Sequence, residues 1–283
     1  RQKLSSMTYL EDYRGLLGQI ANRTRAVPEI AEVLLPGQRA DPEKKDEFGF
    51  VLLSDGSAGA FYTSLDGTLA DLRHELHDQS RQPRDTLTTA AGLGSMGLHS
   101  SALALGAFNA LSQHLMKKAA FDPVEYSRPT LPGDPAVRIG VVGYFPPLAE
   151  KFLQQGFSIT VIEKQPARVP AAPGLEVFTT PEALAECGYV ICTASTLINN
   201  TIEQILRAVR PQTSVNLFGP SASGLPDLLF ARGVASVAGI VIDRVGQLRK
   251  ALASGAPWGS CGRKYQLSPG NYPGVEQLLE RIG

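Results

Sequence analysis

The chain reads as an α/β protein, a doubly wound parallel-sheet domain preceded by a smaller α+β domain. Three observations predict this. From Val137 onward, short apolar runs alternate with helical patterns, the signature of βαβ units and a parallel sheet. Before that point, two apolar runs flank a turn signal and sit among helical patterns. Between the two regions lies Asp122–Pro135, where Pro123, Pro129, Pro132 and Pro135 exclude helix interiors and central strands. The boundary is placed there, giving residues 1–125 and 126–283 as the two domains.

The first domain opens on an amphipathic helix over roughly residues 7–25, because Leu10, Tyr13, Leu17 and Ile20 recur at helical spacing. A polar stretch follows from Gly37 to Glu47. Phe48–Leu53 and Ala60–Thr63 read as strands joined by the Ser54-Asp55-Gly56-Ser57 turn, an antiparallel hairpin. Asp66 or Thr68 can cap a helix that carries Leu69, Leu72 and Leu76 on one face. The segment Leu98–Lys117 is apolar nearly all round, so its helix is buried.

In the second domain, the strands are Val137–Val142, Ser158–Ile162, Glu176–Phe178, Tyr189–Thr193, Ser214–Phe218 and Val237–Ile242. Helices are expected over Leu148–Gln155, from Pro181, on the Ile202/Ile205/Leu206/Val209 face, and over Leu225–Arg232 and Val245–Ala253.

Composition narrows the partner. The 283 residues include 27 basic and 27 acidic ones, a net charge of zero. No basic stripe points to nucleic acid or to an anionic membrane surface, and no apolar run reaches the ~18 residues of a membrane span. No signal-peptide apolar core follows the first residues, and three widely spaced cysteines make no disulfide framework. The expectation is a cytoplasmic protein that binds a small molecule, not nucleic acid or membrane.

Ligands of doubly wound sheets lie beyond the carboxyl ends of the strands. The first such end, Gly143-Tyr144-Phe145-Pro146-Pro147, is no dinucleotide fingerprint, since rings and prolines stand where glycines would admit a pyrophosphate. Glu163 does fall about 20 residues on, where a ribose-binding acid would sit. The strongest candidate is Thr193–Thr201, between a buried strand and a helix. There Asn200 with Glu203 resembles a capping box, free N–H groups favour an anion, and Ser195, Thr196, Asn199 and Thr201 add side-chain donors. Asn, Ser and Thr also cap and turn without any ligand. Gly219-Pro220-Ser221 is a rigid turn that closes the same crevice or simply leaves the strand, and Asp243 is a helix cap or a ligand group.

Histidines and cysteines give less. His74 and His77 share a solvated helix face with no third ligand nearby, His114 reads as structural, and His99 follows a glycine-rich link facing the second domain. Cys192 reads as a core thiol, and Cys187 ends a helix. Cys261, among glycines near Arg263 and Lys264, is an ordinary loop thiol or a reactive one.

Several of these segments occur together in one family. Val142-Gly143-Tyr144-Phe145-Pro146, Val161-Ile162-Glu163-Lys164, Thr193–Thr201, Gly219-Pro220-Ser221 and Ala238-Gly239 with Asp243 stand in its order, and Gly106–Ala110 is similar to its asparagine-bearing helix. The chain thus resembles the putative heavy-metal chelation domain family over most of its length. Asn200 departs from the pattern, standing where the family commonly has glycine. The resemblance implies an enolase N-terminal-like front domain, a Rossmann-like back domain, and a metal ion or metal chelate as the bound species.

The leading functional expectation is binding of a small anionic or metal-chelating ligand near the domain interface. Ser195, Thr196, Asn199 and Thr201 would hold its anionic group, Tyr144 and Phe145 would form an apolar wall, and Glu163 would select a hydroxyl or a cation. Two alternatives stand beside it: an enzyme with a nucleotide-like cofactor (a methyltransferase or oxidoreductase), and a homo-oligomeric assembly protein whose Leu98–Lys117 helix packs across a dimer.

Overall fold

The computed structural model describes residues 7–37, 47–79 and 85–283. Helix α1 (Tyr9–Arg23) begins at a reciprocal capping box, in which Thr8 and Glu11 each accept from the other's backbone N–H. It buries Tyr9, Tyr13, Leu16, Leu17 and Ile20. Most of the polar stretch expected at Gly37–Glu47, residues 38–46, lies outside the described residues.

The first sheet is antiparallel, in the order β1 (Ile30–Leu34), β2 (Phe48–Leu53), β3 (Ala58–Tyr62). The β2–β3 hairpin is the expected one, and Asp55 closes its turn by accepting from the Ser57 N–H at 3.0 Å. Strand β1 was not expected. Only its Ile30 is fully buried, and its pairing is irregular between Ile30 and Glu32, so no alternation shows in the sequence.

Helices α2 (Thr68–Gln79) and α3 (Thr86–Ala90) lead to α4 (Leu98–Lys118), the spine of the molecule. Every residue of α4 from Ser101 to Met116 is buried. The chain's own strands and helices cover it, so α4 needs no second copy, which corrects the dimer-helix expectation. Backbone meets backbone where β3 crosses α4. A Cβ on Gly59 would sit 2.1 Å from the Gly106 carbonyl oxygen and 2.2 Å from the Ala110 nitrogen.

The second sheet has seven strands: β4 (Ile139–Val142), β5 (Ile159–Ile162), β6 (Leu175–Phe178), β7 (Tyr189–Thr193), β8 (Ser214–Phe218), β9 (Val234–Ile242) and β10 (Gly262–Leu267). Their order is β10-β9-β8-β7-β4-β5-β6, parallel except for β10, which runs antiparallel to β9. The winding direction reverses between β4 and β7, which opens a crevice at their carboxyl ends. All residues of β4 and β5 are buried, as a sheet covered on both faces requires.

The connecting helices are α5 (Pro146–Gln154), α6 (Ser195–Ile198), α7 (Ile202–Ala208), α8 (Asp227–Phe230), α9 (Val245–Ser254) and α10 (Val275–Ile282). Several differ from expectation. Pro181–Glu186 is a 3₁₀ helix, and the helix expected over Leu225–Arg232 shrinks to α8, with Pro226 at its N-cap. Strand β10 and helix α10 were missed. β10 is an edge strand whose first half is exposed, and α10 follows it behind a loop.

The result is a two-domain α/β architecture in which the domains share cores. Phe50, Leu52, Ala58 and Ala60 of the first sheet pack on Ile240, Ile242, Leu248 and Leu252. Trp258 closes that cluster, meeting Phe48 and Phe50 edge-on. The main apolar cluster also runs from α1 and α4 into Val190 and Leu217.

Candidate functional site

A cavity of about 940 Å³ opens at the carboxyl ends of β4, β5, β7 and β8. Phe48, Tyr62, Ser64, Leu65 and Asp66 from the first sheet and its exit complete the lining, with Leu98 at the start of α4.

The turn after β4 is closed to a pyrophosphate. Pro146 and Pro147 occupy the first turn of α5 and have no N–H, and the Leu148 and Ala149 amides both bond to the Phe145 carbonyl. The Gly143 amide bonds to Ile162 O, and the Tyr144 amide donates to Glu163 Oε2 at 3.3 Å. The helix-end amides that would greet a phosphate are absent or committed.

Glu163 sits half-buried at the end of β5. Its Oε1 accepts from the Gln165 N–H at 3.1 Å. One backbone amide on each oxygen fixes the carboxylate against the cavity wall.

The turn after β7 is not the simple loop that the sequence suggested. Ser195–Ile198 forms one buried helical turn, α6, and its side chains bond to one another. Thr196 Oγ1 donates to Thr193 O at 2.7 Å, Ser195 Oγ to Thr193 Oγ1 at 3.1 Å, and Thr201 Oγ1 to Asn199 Oδ1 at 2.6 Å. Burial pushes the Cys192 thiol up to about 12, and its Sγ lies 3.5 Å from Thr196 Oγ1. Asn200 adopts φ 55, and its side chain caps nothing. The N-cap of α7 is Thr201, without a side-chain bond. Glu203 accepts instead from the Tyr9 N–H at 2.9 Å, so the expected capping box does not form.

After β8, Gly219 takes φ 122 and Pro220–Ala222 make a 3₁₀ turn. Asn109, fully buried in α4, reaches this turn. Its Nδ2 donates to Ser221 O at 2.8 Å and to Ala60 O at 2.7 Å, so one amide joins α4, β3 and the β8 turn. Ser112 and Gln113 continue the stripe: Ser112 Oγ accepts from the Leu225 N–H, and Gln113 Nε2 donates to Ser223 O.

Gly143, Tyr144, Phe145, Glu163, Ser195, Thr196, Asn199, Thr201, Gly219, Pro220 and Ser221 all line the one cavity. Asn200 and Asp243 are not in its lining. Asp243 is bound at 2.7 and 3.2 Å by Arg263, which also holds Asp122, so it serves a structural ion network. Lys164, beside Glu163 at its strand end, lines the cavity too without having been given a role, and Ser64, Asp66, Gln165, Arg168, Thr179 and Gln204 line it and were missed. That place was the signal for Lys164, whereas Ser64 and Asp66 arrive only through tertiary packing.

A family profile described as "Putative heavy-metal chelation", DUF364, matches residues 127–268. The chain belongs to the DUF364 family. Two solved DUF364 proteins of unknown function share the fold. One, from Pyrococcus horikoshii, is 19% identical with a TM-score of 0.67, over 92% of this chain and 100% of that one. The other, from Desulfitobacterium hafniense DCB-2, is 18% identical with a TM-score of 0.64, over 92% and 99%. No curated protein matches.

The donor set among the described residues of this DUF364 protein does not fit a protein-ligated metal ion. Among the described residues, no group of three or more His, Cys, Asp and Glu side chains could hold one. His74 and His77 are exposed. His99 turns to Asp71 and Glu75 of α2, at 3.6 and 3.9 Å, not to the second domain. His114 is engaged by Asp55 at 2.8 Å. Cys187, Cys192 and Cys261 are all buried, which removes the reactive-loop reading of Cys261. No helix among the described residues is long and apolar enough to cross a membrane.

Proposed function

We propose that the protein binds a small anionic or metal-chelating ligand in the cavity at the strand carboxyl ends, and that it serves heavy-metal handling as a cytoplasmic protein. The observation that carries this is the convergence of the β4, β5, β7 and β8 turns on one cavity at the switch point of the sheet. With no cluster of metal-ligating side chains among the described residues, the metal in this reading is cargo, carried within a chelate. The domains in this reading are an enolase N-terminal-like unit over residues 1–125 and a Rossmann-like unit over 126–283. The strand order supports the second assignment.

The test is to purify the full chain, measure bound metal, and identify any retained small molecule by mass spectrometry. A retained organic anion or chelate, lost from the Thr196→Val/Asn199→Leu variant, is the expected outcome. Equal retention by wild type and variant would show that the β7 turn only holds itself together.

One observation favours a second reading, an enzyme with a nucleotide-like cofactor: Glu163 ends the strand where a ribose-binding acid sits. A retained nicotinamide or adenosyl compound would replace the first reading with this one. The committed amides of the β4 turn speak against it.

A further inference from the structure

Three charged side chains stand at the carboxyl end of β5 without neutralising one another. Glu163, Lys164 and Arg168 all line the cavity, and none makes an ion pair within 4.0 Å among the described residues. Elsewhere in the same domain Arg138, Arg210 and Arg263 each hold a carboxylate. Lys164 and Arg168 are exposed, whereas the Glu163 carboxylate is fixed by the Tyr144 and Gln165 amides.

This arrangement changes where the ligand's charge sits. The hydroxyl protons of Ser195, Thr196 and Thr201 are used within the β7 turn, so the donors left to a ligand there are neutral ones, the Asn199 amide and the Thr193 hydroxyl. Two cations lacking a counter-charge match a dianion, and a phosphate monoester carries about −1.5 to −2 at neutral pH. Arginine offers it a planar fork and lysine a point charge. An ionised carboxylate only accepts hydrogen bonds, so Glu163 requires donors on the ligand.

Resting on the proposed function, we propose that the ligand is a polyol phosphate ester. Lys164 and Arg168 hold the phosphate, Glu163 accepts from hydroxyls beside it, and Tyr144 and Phe145 cover the carbon skeleton. The charged head lies at the β5 rim, away from the β7 turn.

Isothermal titration of the full chain with ribose 5-phosphate, glycerol 3-phosphate, ribose and inorganic phosphate tests this. At least one ester binds with Kd below about 1 mM and weakens with added salt, while inorganic phosphate is at least about tenfold weaker and ribose does not bind. Lys164→Ala/Arg168→Ala weakens the ester at least about tenfold with an unchanged melting curve. Glu163→Gln weakens the ester but not inorganic phosphate. Binding by neither ester, or an unaffected double variant, overturns the proposal. If neither ester binds but a molecule retained through purification is lost from Thr196→Val/Asn199→Leu, this inference fails and the cavity reading stands. If nothing is retained and no probe binds, both fail.

Discussion

The two sides of the cavity are built on opposite rules. At the β7 and β8 turns most of the polar groups are held within the fold: Thr196 bonds to Thr193, Thr201 to Asn199, and Asn109 to Ser221 and Ala60, while Asn109 Oδ1 and Ser221 Oγ are buried without a partner among the described residues. At the end of β5, Lys164 and Arg168 are exposed, Glu163 is half-buried, and the three are unpaired with one another. A hydroxyl-rich turn at a strand end looks like a ligand site in sequence, yet the same hydroxyls are what a tight buried turn needs to satisfy its own backbone. Groups left unsatisfied at a rim are the better sign of an absent partner.

The comparison can be broken by measuring stability and binding separately. Asn109→Leu removes the donor from two buried carbonyls, and chemical denaturation is expected to show a loss of about 4 kcal/mol. A small loss would mean that the β8 turn is not held by α4.

Asp55 is the paired counterpart of the rim carboxylate. Burial works against its charge, but hydrogen bonds from His114 and from the Ser57 amide and hydroxyl hold its carboxyl well below the usual range. A lowered folded pKa gives stability that is present above about pH 4 and lost as pH falls further. Asp55→Asn should therefore cost about 2 kcal/mol at neutral pH and flatten the acid limb of a stability–pH curve. An unchanged limb would place the acid sensitivity elsewhere.

Thr196→Val is expected to cost about 1 kcal/mol through the lost bond to Thr193 O. Lys164→Ala and Arg168→Ala should each stay within about 0.5 kcal/mol of wild type in a thermal melt, because both are exposed and neither makes an ion pair among the described residues. A larger loss at either would erase the contrast between the two sides.

Much of this fold was legible in the sequence because local pattern and tertiary role agree. The buried runs Ile139–Val142, Ile159–Ile162 and Tyr189–Thr193 read as parallel strands because both faces are covered. The Asp55-Gly56 turn announced its hairpin. Strand β1 stayed hidden behind an irregular register, and β10 behind its exposed first half. For the candidate site, the strand-end rule located the crevice, and Pro146 and Pro147 foretold the closed β4 turn. Sequence could not tell which polar groups are already committed. Asn200 and Glu203 are spaced as a capping box, but Tyr9, 194 residues away, takes Glu203. Asp243 read as a helix cap or a ligand group, but Arg263 on the neighbouring strand holds it.

The polar stripe on α4 has a kinetic consequence. Opening the cavity by swinging the domains apart would strip Asn109, Ser112 and Gln113 from the Ser221–Leu225 backbone and expose the shared core around Trp258. That motion is too costly for routine ligand entry. A ligand of the proposed kind would therefore enter the cavity without that motion. Under that proposal its association rate would be set by diffusion and by the field of the rim charges, and would vary with ionic strength rather than with the closing of a hinge.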